Sequence, residues 1–471
     1  ASMIPSIRNV GSSFVPRLAG LQLEWSVLAF MSVITVLSAI TFSVASAAQL
    51  KLGRKNGGDN RLADVLRSGT RVAESGKSRQ ALIVASVSLA MMLLVSAGLV
   101  ATSFRRLIAV DLGFTTEHVL VARIMLPSVH YDAARTIVFV REAERRLRAL
   151  AGVRAVGATN IVPFNGANTA MDLAAEEHAG ESRARYRSAS WRTVSPGYFD
   201  AMRILLKQGR AFNVEDGLRE GSSAERDRSV IVNEVLASAL WPNESDVVGK
   251  RVALVSGSTV TVVGVVGSTR HLSPDSVAGP AMYFAHSQFP VRSMWFTVRG
   301  DGDPVQLTAE IRRTISAIDP LIPVSGLQSL DSLLDRASAE PRLTMIVFTI
   351  FASAAFLLMT VGLYGMVSYS VSQRVRVIGV MMAMGAEPLR VMRDVLAMGL
   401  RLGVIGVVIG AVLSLGLAGA LRSILYDTAA TDFRTYVSVA VLIVAVTAIA
   451  SAIPARRAAG LDPVRALRGG G

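Results

Sequence analysis

The stretch LTMIVFTIFASAAFLLMTVGLYGMVSYSVSQ (343–373) contains no charged residue. A helix needs roughly 17–25 apolar residues to cross the ~30 Å hydrocarbon core of a bilayer, so this stretch predicts a membrane-spanning helix. Only 18% of all residues are charged, against about a quarter in soluble domains. We therefore predict an α-helical membrane protein with five transmembrane helices, rather than five buried helices of a large soluble core. The four other uncharged stretches that satisfy the length criterion are Trp25–Leu50, Ala81–Phe104, Leu402–Leu421 and Thr435–Ala455.

The segments that connect these stretches differ in their content of Lys and Arg. Segments 49–80, 374–395 and 456–471 contain eight, four and four such residues, whereas segments 1–24 and 422–434 contain two each. Because basic residues favour the cytoplasmic side of a membrane, the first three segments are predicted to be cytoplasmic. This distribution predicts a multi-pass protein of the inner (plasma) membrane, with its C-terminus in the cytoplasm and its largest domain in the periplasm.

The predicted organisation has ten parts. In chain order, they are an extracytoplasmic segment (1–24), a transmembrane helix (25–50), a basic cytoplasmic linker (51–80), a second helix (81–104), a periplasmic core domain (105–340), a third helix (343–373), a cytoplasmic loop (374–395), two further helices (396–421 and 435–455) and a cytoplasmic tail (456–471).

The region 105–340 is predicted to be a large α/β domain of two lobes. A strand at 117–127, a helix from Asp132 and a strand at 154–162 form one β-α-β unit. A second unit starts with the alternating stretch SMWFTVRG (293–300). We expect the two units to pair in one porter-like lobe, into which a mostly-β lobe at about 165–290 is inserted.

The net charge of +14 raises the question of a nucleic-acid partner. The region 105–340 is nearly neutral, with 27 Lys and Arg against 26 Asp and Glu. Nucleic-acid binding needs a basic face on a folded domain, whereas here the excess flanks the membrane, where it favours anionic lipid. We therefore predict membrane lipid and no nucleic acid among the partners.

The sequence offers no pattern for catalysis. Its five histidines show no metal-binding spacing, and it has no cysteine and no GxSxG motif. GVVGSTRH (264–271) lacks the Walker spacing, and no P-loop occurs elsewhere in the printed sequence. Charges within the spans are confined to Arg342 and Arg401 at their edges, which disfavours an ion-coupled carrier but leaves a carrier with an apolar drug cavity open. We predict no catalytic residue, no metal site and no bound cofactor.

Several motifs together resemble one family. The stretch 341–396 and the ending PARRAAGLDPVRALRGG (454–470) resemble the membrane region of MacB/FtsX-type ABC permeases. In the core domain, the stretches that resemble the periplasmic domain of this family are YFDAMRILLKQGRAF (198–212), VIVNEVLASALWPNESDVVGKRV (230–252) and VVGVVGSTRH (262–271). The extra helix at 25–50 resembles the junction in duplicated orphan permeases of the acidobacterial type. On that interpretation the chain is the C-terminal module of such a permease.

The resemblance implies a non-catalytic permease subunit that works by mechanotransmission. ATP would be bound and hydrolysed by a separate ABC ATPase, and a stalk-bearing helix at 343–373 would carry the movement to the periplasmic domain, for efflux or envelope export. Further implied partners are a second permease module or a homodimer, and a periplasmic adaptor. The implied ATPase-coupling residues are Arg374, Arg376, Ile378, Met381, Met382, Met384, Gly385 and Glu387.

Two alternatives to this interpretation stay open. The amphipathic stretch SQRVRVIGVMMAMGAEP (372–388) can fill a protein groove with its methionines, or it can lie on lipid without a partner. The chain can also be an FtsX-like regulator that activates a periplasmic partner. A third possibility, a membrane-bound enzyme, is not supported by any set of catalytic residues in the sequence.

Overall fold

The computed structural model describes residues 61–460 apart from 179–185, 214–215, 217–227, 256, 385–386, 422–424, 427 and 429–430. The described chain forms two units. One is the core domain, Leu107–Glu340, and the other is the membrane unit, which comprises the described residues up to Arg106 and from Pro341. The predicted N-terminal segment (1–24), the predicted helix at 25–50 and the last residues of the tail lie outside the described residues.

The described residues contain nine α-helices and eleven strands. The helices are α1 (Arg61–Ile108), α2 (Ala133–Arg148), α3 (Tyr198–Met202), α4 (Glu234–Leu240), α5 (Thr308–Ser316), α6 (Leu330–Ala337), α7 (Ala339–Ala383), α8 (Pro388–Leu421) and α9 (Phe433–Ala459). The strands are β1 (Val119–Met125), β2 (Val153–Thr159), β3 (Ala170–Ala175), β4 (Arg187–Val194), β5 (Leu206–Gly209), β6 (Arg228–Asn233), β7 (Arg251–Leu254), β8 (Thr259–Val266), β9 (Ala281–Ala285), β10 (Ser293–Gly300) and β11 (Val324–Ser329).

Four described helices are long and apolar enough to cross a membrane. The candidate spans are Gln80–Ile108, Ala339–Val375, Pro388–Leu417 and Phe433–Ala459. They coincide with four of the five predicted transmembrane helices. The fifth, at 25–50, stays a prediction because it lies outside the described residues.

The helices of the membrane unit extend further than the sequence predicted. Helix α1 already begins at Arg61, within the predicted linker, and α7 continues through residues 374–383, which were predicted to form a loop. Helix α8 begins at Pro388 and not at 396. The predicted boundaries were placed at the first charged residues. Charged residues mark where a helix leaves the membrane, but the helix itself can continue beyond that point. Arginine is a good helix former, so a helix continues past Arg374, whereas proline is suited to the first turn of a new helix at 388.

The core of the membrane unit is formed by all four of these helices. Val87 and Met91 of α1 and Leu363 of α7 are buried together with Leu402 of α8 and Ile443 of α9. Apolar side chains also remain exposed on the outward faces of α7, α8 and α9. This distribution is expected of helices whose outward faces contact lipid instead of water.

Four strands of the core domain form an open sheet. Their order is β11-β1-β10-β2, and all three pairings are antiparallel. Helices α2 and α5 cover one face, where Val140 and Leu147 of α2 pack with Ile311 and Ile315 of α5. Helix α2 starts where its sequence predicts, because the side chain of Asp132 accepts a hydrogen bond from the backbone N–H of Arg135 at 2.8 Å.

Six further strands close into a barrel. Each is paired with the next in the order β4-β3-β7-β8-β6-β9, and β9 pairs with β4 in a parallel arrangement that completes the ring. Apolar side chains such as Val232, Val262 and Phe284 fill its core. Closure leaves these strands without a free edge, which protects them from pairing with other chains.

The barrel and the open sheet are joined by few strand contacts. Between β2 and β4 a single residue pair, Thr159 and Val194, is in register. A second buried cluster fills the space between the two parts and contains Phe199 and Tyr198 of α3, Tyr283 of β9 and Trp295 of β10. The aromatic rings of Phe199 and Tyr283 meet edge to face, with centroids 5.2 Å apart. Side-chain packing therefore joins the two lobes.

Candidate functional site

The residues that the family resemblance singled out lie at the end of α7 and in the short connection to α8, and we call this region (residues 374–387) the α7–α8 turn. Met384 is 83% exposed and Met381 is 43% exposed, and Arg374 and Glu387 are exposed as well. Gly385 and the side chain of Arg376 lie outside the described part of the chain. The exposed side of this turn thus carries two methionines and charges of both signs.

Ile378 differs from the predicted role. Its side chain is only 4% exposed and packs against Val371 of α7, Val391 of α8 and Ala458 of α9, with Met382 partly buried against the same cluster. A docking residue must be accessible to its partner, so Ile378 instead holds the three helices together. The spacing in the sequence already indicates that Ile378 is buried, because it lies seven residues after Val371 and therefore on the same helix face.

A cavity of about 740 Å³ opens next to this turn, within the membrane unit. We call it the basic cavity, because Arg374 of α7 and Arg401 of α8 both line it. Asp394 contributes the only carboxylate among its lining residues, and Gln80 of α1 also reaches it. Its apolar wall consists of residues such as Val391, Val395, Met398, Leu402 and Ile405. A cavity with one apolar wall and two guanidinium groups suits an amphiphilic anion.

A second cavity, of about 510 Å³, lies between the lobes of the core domain. Glu144 of α2 lines it, and the hydroxyl of Ser195 donates a hydrogen bond to this carboxylate. The hydroxyl oxygen in turn accepts a hydrogen bond from the backbone N–H of Ala158 at 2.7 Å. Burial raises the pKa of Glu144 from its ordinary value of 4.5 to about 7, although Ser195 and nearby arginines act in the opposite direction. His286 lines the same cavity, and burial lowers its pKa to about 4.

Glu144→Gln should stabilise the core domain at high pH. The folded-state pKa lies above the unfolded one, so the folded form retains a proton that the unfolded chain loses, and stability falls as the pH rises from about 4.5 to about 7. At ~1.4 kcal/mol per unit, the cost above pH 7 amounts to about 3 kcal/mol. We expect the variant to match the wild type near pH 4 and to gain up to about 3 kcal/mol at pH 8, measured by urea unfolding with tryptophan fluorescence.

Glu142→Gln, on the same helix, is the matched control. Its carboxylate accepts hydrogen bonds from Arg145 and Arg146, which lower the pKa of Glu142 to about 2. Neutralising it should therefore give no stabilisation at pH 8. A stability gain of equal size in both variants would show that the effect does not come from the partly buried carboxyl of Glu144.

Two of the described histidines contact groups that are not metal ligands. His271 is buried beside Arg192, whose Nε lies 3.2 Å from the histidine Nε2, and burial lowers the pKa of His271 well below its usual range. His118 contacts the carbonyl of Gly302 at 2.9 Å. Among the described residues, no group of three or more potential ligand side chains is placed to hold a metal ion.

Two family models match the sequence over ranges that do not overlap. Residues 81–314 match the MacB-like periplasmic core domain, and residues 349–463 match the FtsX-like permease C-terminal domain. The chain belongs to the MacB/FtsX-type permease family. The first match covers most of the core domain, and the second covers α8, α9 and most of α7, including the α7–α8 turn.

Curated relatives match more than half of the length of this permease. The macrolide export ATP-binding/permease protein MacB of Escherichia coli K12 is 26% identical over 302 residues, which cover 60% of this chain and 45% of that protein. MacB of Salmonella paratyphi A is 25% identical over 291 residues, which cover 58% of this chain and 42% of that protein. The permease therefore spans about half the length of these relatives.

Solved structures give weaker matches. The periplasmic region of MacB from Actinobacillus actinomycetemcomitans matches with a TM-score of 0.31 and 14% identity, covering 47% of this chain and 92% of that one. The extracellular domain of the noncanonic ABC-type transporter YknZ from Gram-positive bacteria matches with a TM-score of 0.29 and 19% identity, covering 44% of this chain and all of that one.

Proposed function

We propose that this permease transmits the movement of a separate ABC ATPase to its core domain, in a system for efflux or envelope export. The observation that carries the proposal is helix α7, which runs without interruption from Ala339 to Ala383. At about 1.5 Å per residue, its 45 residues are about 67 Å long. This length is about twice the ~30 Å of the hydrocarbon core. Such a helix can carry a displacement from one side of a membrane to the other.

The proposal includes an orientation and a set of partners. The distribution of Lys and Arg supports an inner-membrane protein with the α7–α8 turn and the C-terminus in the cytoplasm. ATP is then bound by the partner subunit, and this chain needs no cofactor of its own. A second permease module or a second copy of the chain, and a periplasmic adaptor, complete the proposed assembly.

The proposed ATPase contact is the exposed side of the α7–α8 turn. Met381 and Met384 offer apolar surface there, and methionine adapts well to a partner that changes shape. Arg374 and Glu387 are exposed beside them and can form charged contacts at the rim of an interface. Ile378 is excluded from this contact by its burial.

The test is the double substitution Met381→Asp with Met384→Asp in an affinity-tagged permease purified from membranes of its own organism. Two carboxylates are costly to bury in an interface, so we expect ATP hydrolysis in the eluate to fall at least about tenfold, a change of about 1.4 kcal/mol in binding. Met125→Asp is the control, because Met125 is 54% exposed but belongs to β1 of the core domain.

Two outcomes would contradict the proposal. Undiminished ATP hydrolysis in the double variant would show that the turn is not the contact. A wild-type permease that co-purifies with a periplasmic enzyme and no ATPase would favour the regulator of FtsX type.

A further inference from the structure

The basic cavity contains two arginines that come from different helices and stand at equivalent places in their spans. Arg374 directly follows the uncharged stretch 343–373 of α7, and Arg401 directly precedes the uncharged stretch 402–421 of α8. Gln80, where the span of α1 begins, lines the same cavity. Three helices thus reach one boundary of the membrane at this cavity. That boundary is the level at which lipid headgroups lie.

The surface of α8 beyond Arg401 is apolar and exposed. Ile405 lines the cavity one turn after Arg401 and is 49% exposed, and Val408 and Val412 continue the same exposed face towards the middle of the span. Residues three and four apart lie on one face of a helix. A molecule whose charged end contacts Arg401 can therefore extend an apolar chain along α8.

We propose that the basic cavity binds an anionic phospholipid. The phosphate lies between Arg374 and Arg401, and an acyl chain follows Ile405, Val408 and Val412. Guanidinium groups pair with phosphate oxygens in two-point hydrogen bonds. The carboxylate of Asp394 accepts a hydrogen bond from a headgroup hydroxyl, and phosphatidylglycerol has this combination of groups.

Two features favour a lipid over an acidic protein surface as the occupant. The apolar wall continues into the span, beyond the reach of a soluble partner, whereas an acyl chain is already present there. The charges that line the cavity also sit at the level of the lipid phosphates, where each basic residue contributes to binding of anionic lipid. The proposal requires that the helices span a membrane, and it does not depend on the ATPase contact.

The test uses the full-length permease in nanodiscs of phosphatidylcholine with a minor fraction of phosphatidylglycerol. After transfer to detergent, the retained lipids are counted by native mass spectrometry. We expect the wild type to retain phosphatidylglycerol in preference to phosphatidylcholine. The double variant Arg374→Gln with Arg401→Gln should lose about 30-fold in this preference, because each guanidinium group that pairs with the phosphate in the cavity contributes roughly a factor of five.

Arg390→Gln with Arg393→Gln is the matched control. Both arginines are exposed on the first turns of α8, and neither lines the basic cavity. This variant should change the preference less than twofold. Asp394→Asn keeps a side-chain oxygen that can accept the hydrogen bond of the headgroup hydroxyl, but it removes a negative charge from the cavity. It should therefore increase retention of phosphatidylglycerol about fivefold, a gain that misfolding cannot produce.

The proposal fails if the wild type shows no preference for phosphatidylglycerol, or if both double variants reduce it equally. Because Arg374 also belongs to the proposed ATPase contact, Arg401→Gln alone separates the two sites. The proposal also fails if this single variant retains the lipid but no longer co-purifies with an ATPase, because the cavity would then bind protein. Retention of ATPase together with reduced retention of the lipid would support the lipid site and leave the ATPase contact intact.

Discussion

Gly410→Leu should prevent the membrane unit from assembling. A Cβ atom at Gly410 would lie 2.6 Å from the Cβ of Met91 and 2.6 Å from the carbonyl oxygen of Ser88, both in α1. These atoms belong to the buried face of α1 and cannot give way as the end of a flexible side chain could. Overpacking costs about 1–3 kcal/mol for added methylenes and more where backbone is in the way. We expect at least about 3 kcal/mol here, seen as loss of the monodisperse peak in detergent and of the thermal transition.

Gly416→Leu is the matched control on the same helix. A Cβ atom at Gly416 would have no described atom within 4 Å. Both substitutions add the same apolar side chain and remove the same backbone freedom, so the difference between them measures the helix contact alone. If both variants give the wild-type peak and transition, the close approach of α1 and α8 is wrong.

Gly410 is one of four glycines that let α8 approach its neighbours. Gly399 and Gly403 face Ser451 and Thr447 of α9, whereas Gly406 and Gly410 face α1. The hydroxyl of Ser88 donates a hydrogen bond to the carbonyl oxygen of Gly406 at 3.0 Å. Helices in membranes gain stability from close packing of small residues and from such hydrogen bonds. The spacing of these glycines is visible in the sequence, but their partners on α1 and α9 depend on the tertiary arrangement.

The local elements of the core domain were predictable, and the closure of its barrel was not. The stretch SMWFTVRG predicts the strand that forms β10, and its bounds, Ser293–Gly300, match. The parallel pairing of β4 with β9 joins Ser190 to Ala281. Residues so far apart in the sequence leave no periodic signal of their pairing, because periodicity reports which face is buried and not which strand is adjacent.

The pattern of charges along the sequence located the candidate site, but only the burial of each side chain shows which residues a partner can contact. Arg374 and Arg401 are visible in the sequence as charges at the edges of apolar stretches. Their common cavity needs the packing of α7 against α8. The amphipathic pattern placed Ile378 on a docking face, whereas the packing of three helices buries it. An apolar residue at the end of a bundle fits either role, and sequence periodicity alone does not separate them.

Arg299→Met should strongly destabilise the core domain. Arg299 of β10 is only 4% exposed. Its guanidinium group donates hydrogen bonds to the carbonyl oxygens of Ala201, Glu117 and Thr115, at 2.7, 2.8 and 2.9 Å. The single side chain thus connects the end of α3 and the segment before β1 to the open sheet.

Methionine can replace the aliphatic part of Arg299 but donates no hydrogen bond. Three carbonyl oxygens would lose their donor, that of Ala201 in a buried contact and those of Glu117 and Thr115 in partly buried ones. A buried acceptor left unpaired costs about 1–3 kcal/mol. We therefore expect a loss of at least about 3 kcal/mol in the free energy of unfolding. Urea unfolding followed by tryptophan fluorescence measures it, because Trp191, Trp241 and Trp295 all belong to the core domain.

Arg154→Met is the matched control, since it removes the same charge from the neighbouring strand β2. The side chain of Arg154 is 70% exposed and forms an ion pair with Asp301, itself half exposed. Exposed ion pairs contribute little to stability, so this variant should unfold close to the wild type. Equal losses in the two variants would attribute the effect to net charge. A large loss for Arg299 alone assigns it to the three carbonyl contacts and the burial of this side chain, because both variants remove the same positive charge.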